Sequence, residues 1–237
     1  MKQEGKYFDI YYPANDLYAK QVVEFLTPHM DKVYMMLTDL YGIQAKVEVH
    51  LIDGVTGRNE MSSEGEIRNK ENVTFVWLEE ENDKGGNNLS ELVHEINHNF
   101  FNQANNRTGN QTLWLDEANA KLIPSLYISK NYDGKTDMWS FYERLVVSNI
   151  GIKTADEYLN GSKTGDAWSQ KEEGSIERQA QIYGLALWSY MYNQAEDLDT
   201  FKYYLRNMNV GNGDTLLTLQ KFLNKSIDEV EKDFLDF

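Results

Sequence analysis

The stretch NLSELVHEINHNFF, residues 88 to 101, places two of the chain's four histidines, His94 and His98, four positions apart with a glutamate directly after the first. Its apolar residues fall at i, i+3, i+4, i+7 and i+11, which is the spacing of one stripe on a helix. They are Leu89, Leu92, Val93, Ile96 and Phe100. Asn88 and Glu91 have the spacing of a capping box, with Asn in place of Ser or Thr. The stretch therefore predicts an amphipathic helix that is capped by Asn88 and packs its stripe onto a sheet.

The two histidines are spaced so that both can reach one ion. On a helix His94 and His98 lie about 40° apart on successive turns, and Glu95 lies about 100° round from His94. Zinc binds neutral imidazole nitrogens, and a catalytic zinc has three protein ligands and an open position for water. A carboxylate beside that position can take a proton from water and pass it to a leaving amine. The H-E-x-x-H pattern therefore indicates a zinc site, and two surface histidines on an ordinary helix are the alternative.

The third ligand must be an acidic residue. The chain has no cysteine, and its other histidines, His29 and His50, lie in the N-terminal half. The first acidic residues after His98 are Asp116 and Glu117, in the stretch QTLWLDEANAKLI, and eighteen residues separate His98 from Glu117.

H-E-x-x-H followed after eighteen residues by a glutamate, in the context W-L-x-E-x-x-A, resembles the gluzincins, the thermolysin-like zinc peptidases, and especially their aminopeptidase-N-like branch. The resemblance covers residues 88 to 121 closely and the rest of the chain loosely. It implies a thermolysin-like catalytic domain that binds Zn²⁺ through His94, His98 and Glu117. It also implies that Glu95 is the catalytic general base and acid.

Two further roles follow from the resemblance. Asp116 stands where thermolysin-like enzymes keep a residue that hydrogen-bonds a zinc histidine, so it could orient His98; a solvated acid at a helix start is the alternative. The family also supplies a donor to the oxyanion, often a tyrosine. In RQAQIYGLALWSYM, residues 178 to 191, that donor is Tyr183; a different alignment selects Gln181, and a packing role is the alternative for Tyr183.

Two departures from the family affect the activity to be expected. The G-x-M-E-N motif, with which the branch's exopeptidases bind a free amino terminus, is absent, and Lys121 stands where thermolysin has an aspartate after its glutamate ligand. A zinc-dependent peptidase that hydrolyses peptide or protein substrates, with endopeptidase action favoured, is the leading hypothesis. The strand before the zinc-site helix could bind an extended substrate by edge pairing. A non-catalytic zinc-binding or peptide-binding module that retains the gluzincin fold is the alternative.

The remaining patterns predict an α+β fold. Residues 6 to 12, 46 to 52 and 72 to 78 read as strands of a small mixed sheet. Residues 16 to 41 have helical spacing, with Pro28 expected to kink or split the helix, Thr27 to cap its second half and Gly42 to end it. After residue 86 helices are predicted near 113 to 128, 137 to 149, 174 to 195, 198 to 208, 213 to 223 and 226 to 236. We expect an N-terminal α/β subdomain, 1–104, and a helical subdomain, 105–237, which together form one catalytic unit.

The composition excludes several classes of partner. The formal net charge of −15 argues against nucleic acid and against an anionic membrane surface, both of which favour clusters of Lys and Arg. No run of eighteen apolar residues and no signal-peptide h-region is present, so neither a membrane span nor a visible signal peptide is expected. Composition alone favours a secreted or cell-envelope protein with its leader removed over a cytoplasmic one.

Overall fold

The computed structural model describes residues 1–53, 73–78, 86–105, 113–131, 187–188, 190–192, 194–195, 197–208, 215–226, 228–229 and 232. The chain divides into two compact units, Met1–Phe100 and Phe101–Phe237. Among the described residues, helices and a four-stranded sheet account for the regular structure. None of the described helices is both long and apolar enough to cross a membrane.

The sheet of the first unit is mixed. Its strands are β1 (Lys2–Gln3), β2 (Ile10–Tyr11), β3 (Glu48–Asp53) and β4 (Val73–Leu78), in the spatial order β1-β2-β3-β4. The pair β1/β2 is antiparallel, whereas β2/β3 and β3/β4 are parallel. The strands predicted at 46 to 52 and 72 to 78 are thereby confirmed, since both carry the β-branched and apolar residues that suit a buried parallel pair.

The predicted first strand is mostly wrong, because only Ile10 and Tyr11 of residues 6 to 12 pair in the sheet. The residues before them contact helix α1 (Leu17–Tyr41) instead. The ring of Tyr7 stacks on Tyr34 with centroids 4.6 Å apart, and the backbone N–H of Lys6 donates to Asp31 Oδ1 at 3.3 Å. These contacts hold residues 6 and 7 in a bend, so the extended conformation begins only afterwards.

Helix α1 ends where the sequence predicts but is not split. The side chain of Asp16 accepts a hydrogen bond from the Ala19 N–H at its start, and Gly42 ends it in the left-handed conformation, with φ 70°. The helix continues through Pro28, so the predicted split and the capping role of Thr27 are wrong, while a kink at Pro28 stays a prediction. The Thr27 hydroxyl donates to the Val23 carbonyl at 2.7 Å, the i−4 hydrogen bond that a threonine forms inside a helix.

Helix α2 (Gly86–Ala104) contains the quoted stretch and confirms its stripe. Each apolar residue of the stripe is 0% exposed; they are Leu89, Leu92, Val93, Ile96 and Phe100. Phe100 meets Tyr34 of α1 edge to face, with ring centroids 5.2 Å apart. The predicted capping box is wrong, because the helix begins at Gly86 and places Asn88 inside its first turn, fully buried.

The second unit is helical in its described part. Its helices are α3 (Leu113–Asn131), α4 (Leu198–Asn207) and α5 (Thr215–Leu223), as predicted. Trp188 lies at its centre, with the rings of Phe101 and Phe201 packed edge-on at 6.1 and 6.3 Å between centroids. The helices predicted at 137–149, across most of 174–195 and across most of 226–236 lie outside the described residues.

His29 is expected to make the fold sensitive to acid. Burial, and then the nearby charge of Lys32, lower the pKa of this imidazole below its usual 6.5. Because the folded-state pKa is the lower one, the stabilisation is complete above the unfolded pKa and is lost as pH falls through the folded pKa. We therefore expect wild-type protein to lose more stability between about pH 7.5 and about pH 5.5 than His29→Gln does.

The measurement is the urea midpoint of unfolding at both pH values. His50→Gln serves as the control, because His50 Nε2 donates to the Glu48 carboxylate at 2.8 Å and its removal changes a different site. Equal acid sensitivity of the wild type and His29→Gln would show that other groups cause the loss.

Candidate metal centre

The two histidines of helix α2 lie close together. Their Nε2 atoms are 3.1 Å apart, and the rings are nearly perpendicular, with centroids 4.8 Å apart and an interplanar angle of 83°. Both residues are half-buried on the face of α2 away from the apolar stripe. Spacing of i, i+4 alone brings them together, as the sequence predicts.

The pair fits a zinc ion. Two nitrogens bound at 2.0 to 2.1 Å to a tetrahedral zinc are about 3.3 Å apart, close to the separation found here. The same distance also suits an N–H···N hydrogen bond between two imidazoles. In either state the side chains converge on one point, so little rearrangement is needed for both to bind one ion.

Glu95 lies beside this pair. Its Oε1 atom is 4.0 Å from Nε2 of His94, and the side chain is 30% exposed. A carboxylate at this distance is near enough to act on a molecule bound at the histidines and accessible enough to exchange protons with water. The predicted role of Glu95, a base that does not itself bind the ion, stays a prediction.

Glu91 is a member of the site that the sequence analysis missed. Glu91, His94 and Glu95 each place one donor atom within 4.8 Å of the other two, the one group of this kind in the described ranges. Its i, i+3 spacing to His94 is the sequence signal for this position, whereas the capping-box pattern uses the same residue for a different role. The site thus carries two carboxylates and two imidazoles on one helix face.

Three polar contacts fix helix α2 in the first unit. The Tyr41 hydroxyl donates to Oδ1 of the buried Asn97 at 2.7 Å, and the Asn88 amide donates to the Tyr18 hydroxyl at 3.1 Å. A third contact joins the Asn99 amide to the Thr74 hydroxyl on strand β4. Because Asn97 lies between Glu95 and His98 in the sequence, its bond to Tyr41 fixes the rotation that presents the site residues.

The predicted third ligand lies on another helix. Glu117 belongs to α3, and its side chain lies outside the described residues. Its neighbour Asp116 is 2% exposed, so the alternative of a solvated acid is wrong, while its predicted role toward His98 stays a prediction. Tyr183 and Gln181, the two candidates for the oxyanion donor, also lie outside the described residues.

Comparison with known proteins gives no relative for this site. Neither the models of known protein families nor the curated proteins contain a match to the chain.

Proposed function

We propose that the chain is a zinc-dependent peptidase in which His94, His98 and Glu117 hold the metal and Glu95 is the general base and acid. The observation that carries the proposal is the 3.1 Å separation of the two Nε2 atoms, with the carboxylate of Glu95 4.0 Å from one of them. The spacing of eighteen residues to Glu117 adds the third ligand that a catalytic zinc needs.

The side chains would divide the reaction between them. Zinc, when bound, lowers the pKa of water to about 7 and polarises the substrate carbonyl. Each imidazole must present an unprotonated Nε2 and carry its proton on Nδ1. Glu95 takes a proton from the attacking water at a carboxylate oxygen and delivers it to the leaving amine. In the family the resemblance points to, a tyrosine stabilises the oxyanion, and Tyr183 is proposed for that role.

An extended peptide is the proposed substrate. Within the described part of the sheet, β4 is an edge strand with β3 as its neighbour, and the proposed peptide pairs with the other edge of β4. The bond between Thr74 and Asn99 ties this strand to helix α2. A substrate added to β4 would be held by its main chain, which supports endopeptidase action over recognition of a free terminus.

Glu91 favours a second candidate, a non-catalytic metal-binding module. Its carboxylate lies within 4.8 Å of the donor atoms of His94 and Glu95, where it could supply a fourth protein ligand. A zinc with four protein ligands has no open position and serves structure rather than catalysis. In that case Glu91→Gln would weaken zinc binding strongly, whereas in a peptidase it would leave zinc stoichiometry unchanged.

The first test is the zinc content of purified protein by elemental analysis. We expect about one zinc per wild-type chain and its loss in His94→Ala and in Glu117→Ala, because a catalytic site needs all three ligands. The control is His29→Ala, which removes a histidine from helix α1 and should retain the metal. Zinc binding that is indifferent to Glu117 would contradict the proposed ligand set.

The second arm of the test screens the zinc-loaded protein against a peptide library with mass-spectrometric detection. Cleavage that disappears with the metal supports the peptidase. A protein that binds zinc tightly, loses it in Glu91→Gln and cleaves none of the peptides is the binding module instead.

A further inference from the structure

A cavity of about 320 Å³ opens within the second unit, where the last residues of α2 meet helices α4 and α5. This volume is at the lower end of the range for small-molecule sites, about 300 to 1,000 Å³. Its described walls carry two cations, three amide or hydroxyl groups and two aromatic rings, and none of those residues is acidic. The described lining thus carries positively charged residues although the chain has a net charge of −15.

One of the residues that line the cavity, Asn105, has an amide with an unused acceptor. Asn105 is 8% exposed, and its Nδ2 donates to the carbonyls of Phe101 and Leu205, each at 3.0 Å. Both amide hydrogens are therefore engaged, which fixes the orientation of the group. Its Oδ1 is buried and has no hydrogen-bond partner among the described residues. A buried acceptor without a partner is unfavourable, so an N–H or O–H donor on a ligand would be bound there.

Two cations line the same cavity. Arg206 lies in the last turn of α4 and Lys221 in the last turn of α5. Each helix end contributes about half a negative elementary charge, which explains a basic residue there without any ligand. A guanidinium and an ammonium in the wall of one cavity nevertheless suit a carboxylate. The helix ends alone also leave the unused acceptor of Asn105 unexplained.

Aromatic rings form the apolar part of the wall. Tyr203 and Phe222 meet with ring centroids 5.5 Å apart, and Tyr203 is 50% exposed although its ring is large and mostly apolar. Such a surface would be covered by a ligand's apolar side chain.

We propose that this cavity binds a carboxylate that carries an adjacent N–H donor and an apolar side chain, the chemistry of the carboxyl-terminal residue of a peptide. The carboxylate pairs with Arg206 and Lys221, the N–H donates to Asn105 Oδ1, and the side chain packs on Tyr203 and Phe222. Inorganic phosphate would satisfy the two cations but not the aromatic wall. The site does not depend on the zinc chemistry proposed above.

The probe is N-acetylphenylalanine, titrated calorimetrically into the full-length protein, with N-acetylphenylalaninamide as the uncharged analogue. We expect a dissociation constant on the order of 1 mM or below for the acid. The amide probe lacks the carboxylate, and Lys221→Gln lacks a cation that pairs with it. Each should therefore bind at least about tenfold more weakly than the acid binds to the wild type. Lys20→Gln, an exposed lysine on helix α1, matches the charge change and should bind the acid like the wild type.

The outcomes separate the alternatives. Tighter binding of the acid than of the amide, lost in Lys221→Gln and kept in Lys20→Gln, supports the site. Equal binding of acid and amide, competition by inorganic phosphate at the same concentration as the acid, or equal loss in the two lysine variants would overturn it. Because these variants are exposed and distant from Glu95 in sequence, zinc content and peptide hydrolysis report separately on the proposed function.

Discussion

Glu95→Gln is expected to lower kcat for peptide hydrolysis by about 10² to 10⁴-fold, the contribution typical of a general base and acid. Glutamine has nearly the same shape as glutamate but cannot take a proton from water at neutral pH. The side chain is 30% exposed, so the substitution leaves no uncompensated charge in the core. Zinc content and thermal stability should therefore stay near those of the wild type while turnover is lost.

The measurement is kcat and KM on the best peptide from the library screen, with zinc determined on the same samples. Glu91→Gln is the matched control, because it removes the same charge one turn earlier on the same face of helix α2. If proton transfer by Glu95 is the step lost, Glu91→Gln should retain most of the turnover. Equal losses in both variants would point to the summed negative charge, and full activity of Glu95→Gln would rule out the mechanism.

The parts of this site that the sequence predicts are the local ones. His94 and His98 converge because helical geometry fixes residues four apart on one face, and the apolar stripe identifies the helix. Strands β3 and β4 are equally predictable from the sequence, because their β-branched and apolar runs have little helical periodicity. Each of these inferences depends on residues within one element, and the structure confirms each of them.

Contacts between distant residues were not predictable in the same way. Tyr41 and Asn97 are 56 positions apart, and nothing in either local pattern shows that they form a buried hydrogen bond. The bend at residues 6 and 7 depends on Tyr34 and Asp31, which lie a full helix away in sequence. Glu91 fits both the capping-box pattern and the i, i+3 spacing to His94. Only the position at which the helix begins distinguishes these two roles, and the local sequence does not fix that position.

The spacing between His98 and Glu117 does not by itself bring the two side chains together. Glu117 is assigned through a resemblance, and its approach to the histidines depends on the path of the chain between two helices rather than on helical geometry. Asp116, its neighbour, is buried, which a charged residue tolerates only when its carboxylate is hydrogen-bonded or paired. The loss of zinc in Glu117→Ala is therefore the test that adds most to the sequence argument.

Phe100→Ala is expected to lower the free energy of unfolding by about 3 to 5 kcal/mol, the cost of removing a large aromatic side chain from a packed core. Phe100 is 0% exposed and lies at the buried end of the stripe of helix α2. It meets Tyr34 edge to face at 5.2 Å and Tyr41 at 6.1 Å between ring centroids. The cavity left by its ring would remove contacts that join helix α2 to α1.

The measurement is urea unfolding followed by circular dichroism, with a chelator present because zinc bound to the native state would add to its stability. Phe25→Ala on helix α1 is the control, since that ring is only half-buried and its loss should cost far less. Phe100→Ala and Glu95→Gln change opposite faces of one helix. If the apolar stripe anchors helix α2 and its polar face contains the catalytic residue, Phe100→Ala loses stability, whereas Glu95→Gln loses only turnover. A Phe100→Ala protein as stable as Phe25→Ala would contradict the packing of α2 on α1.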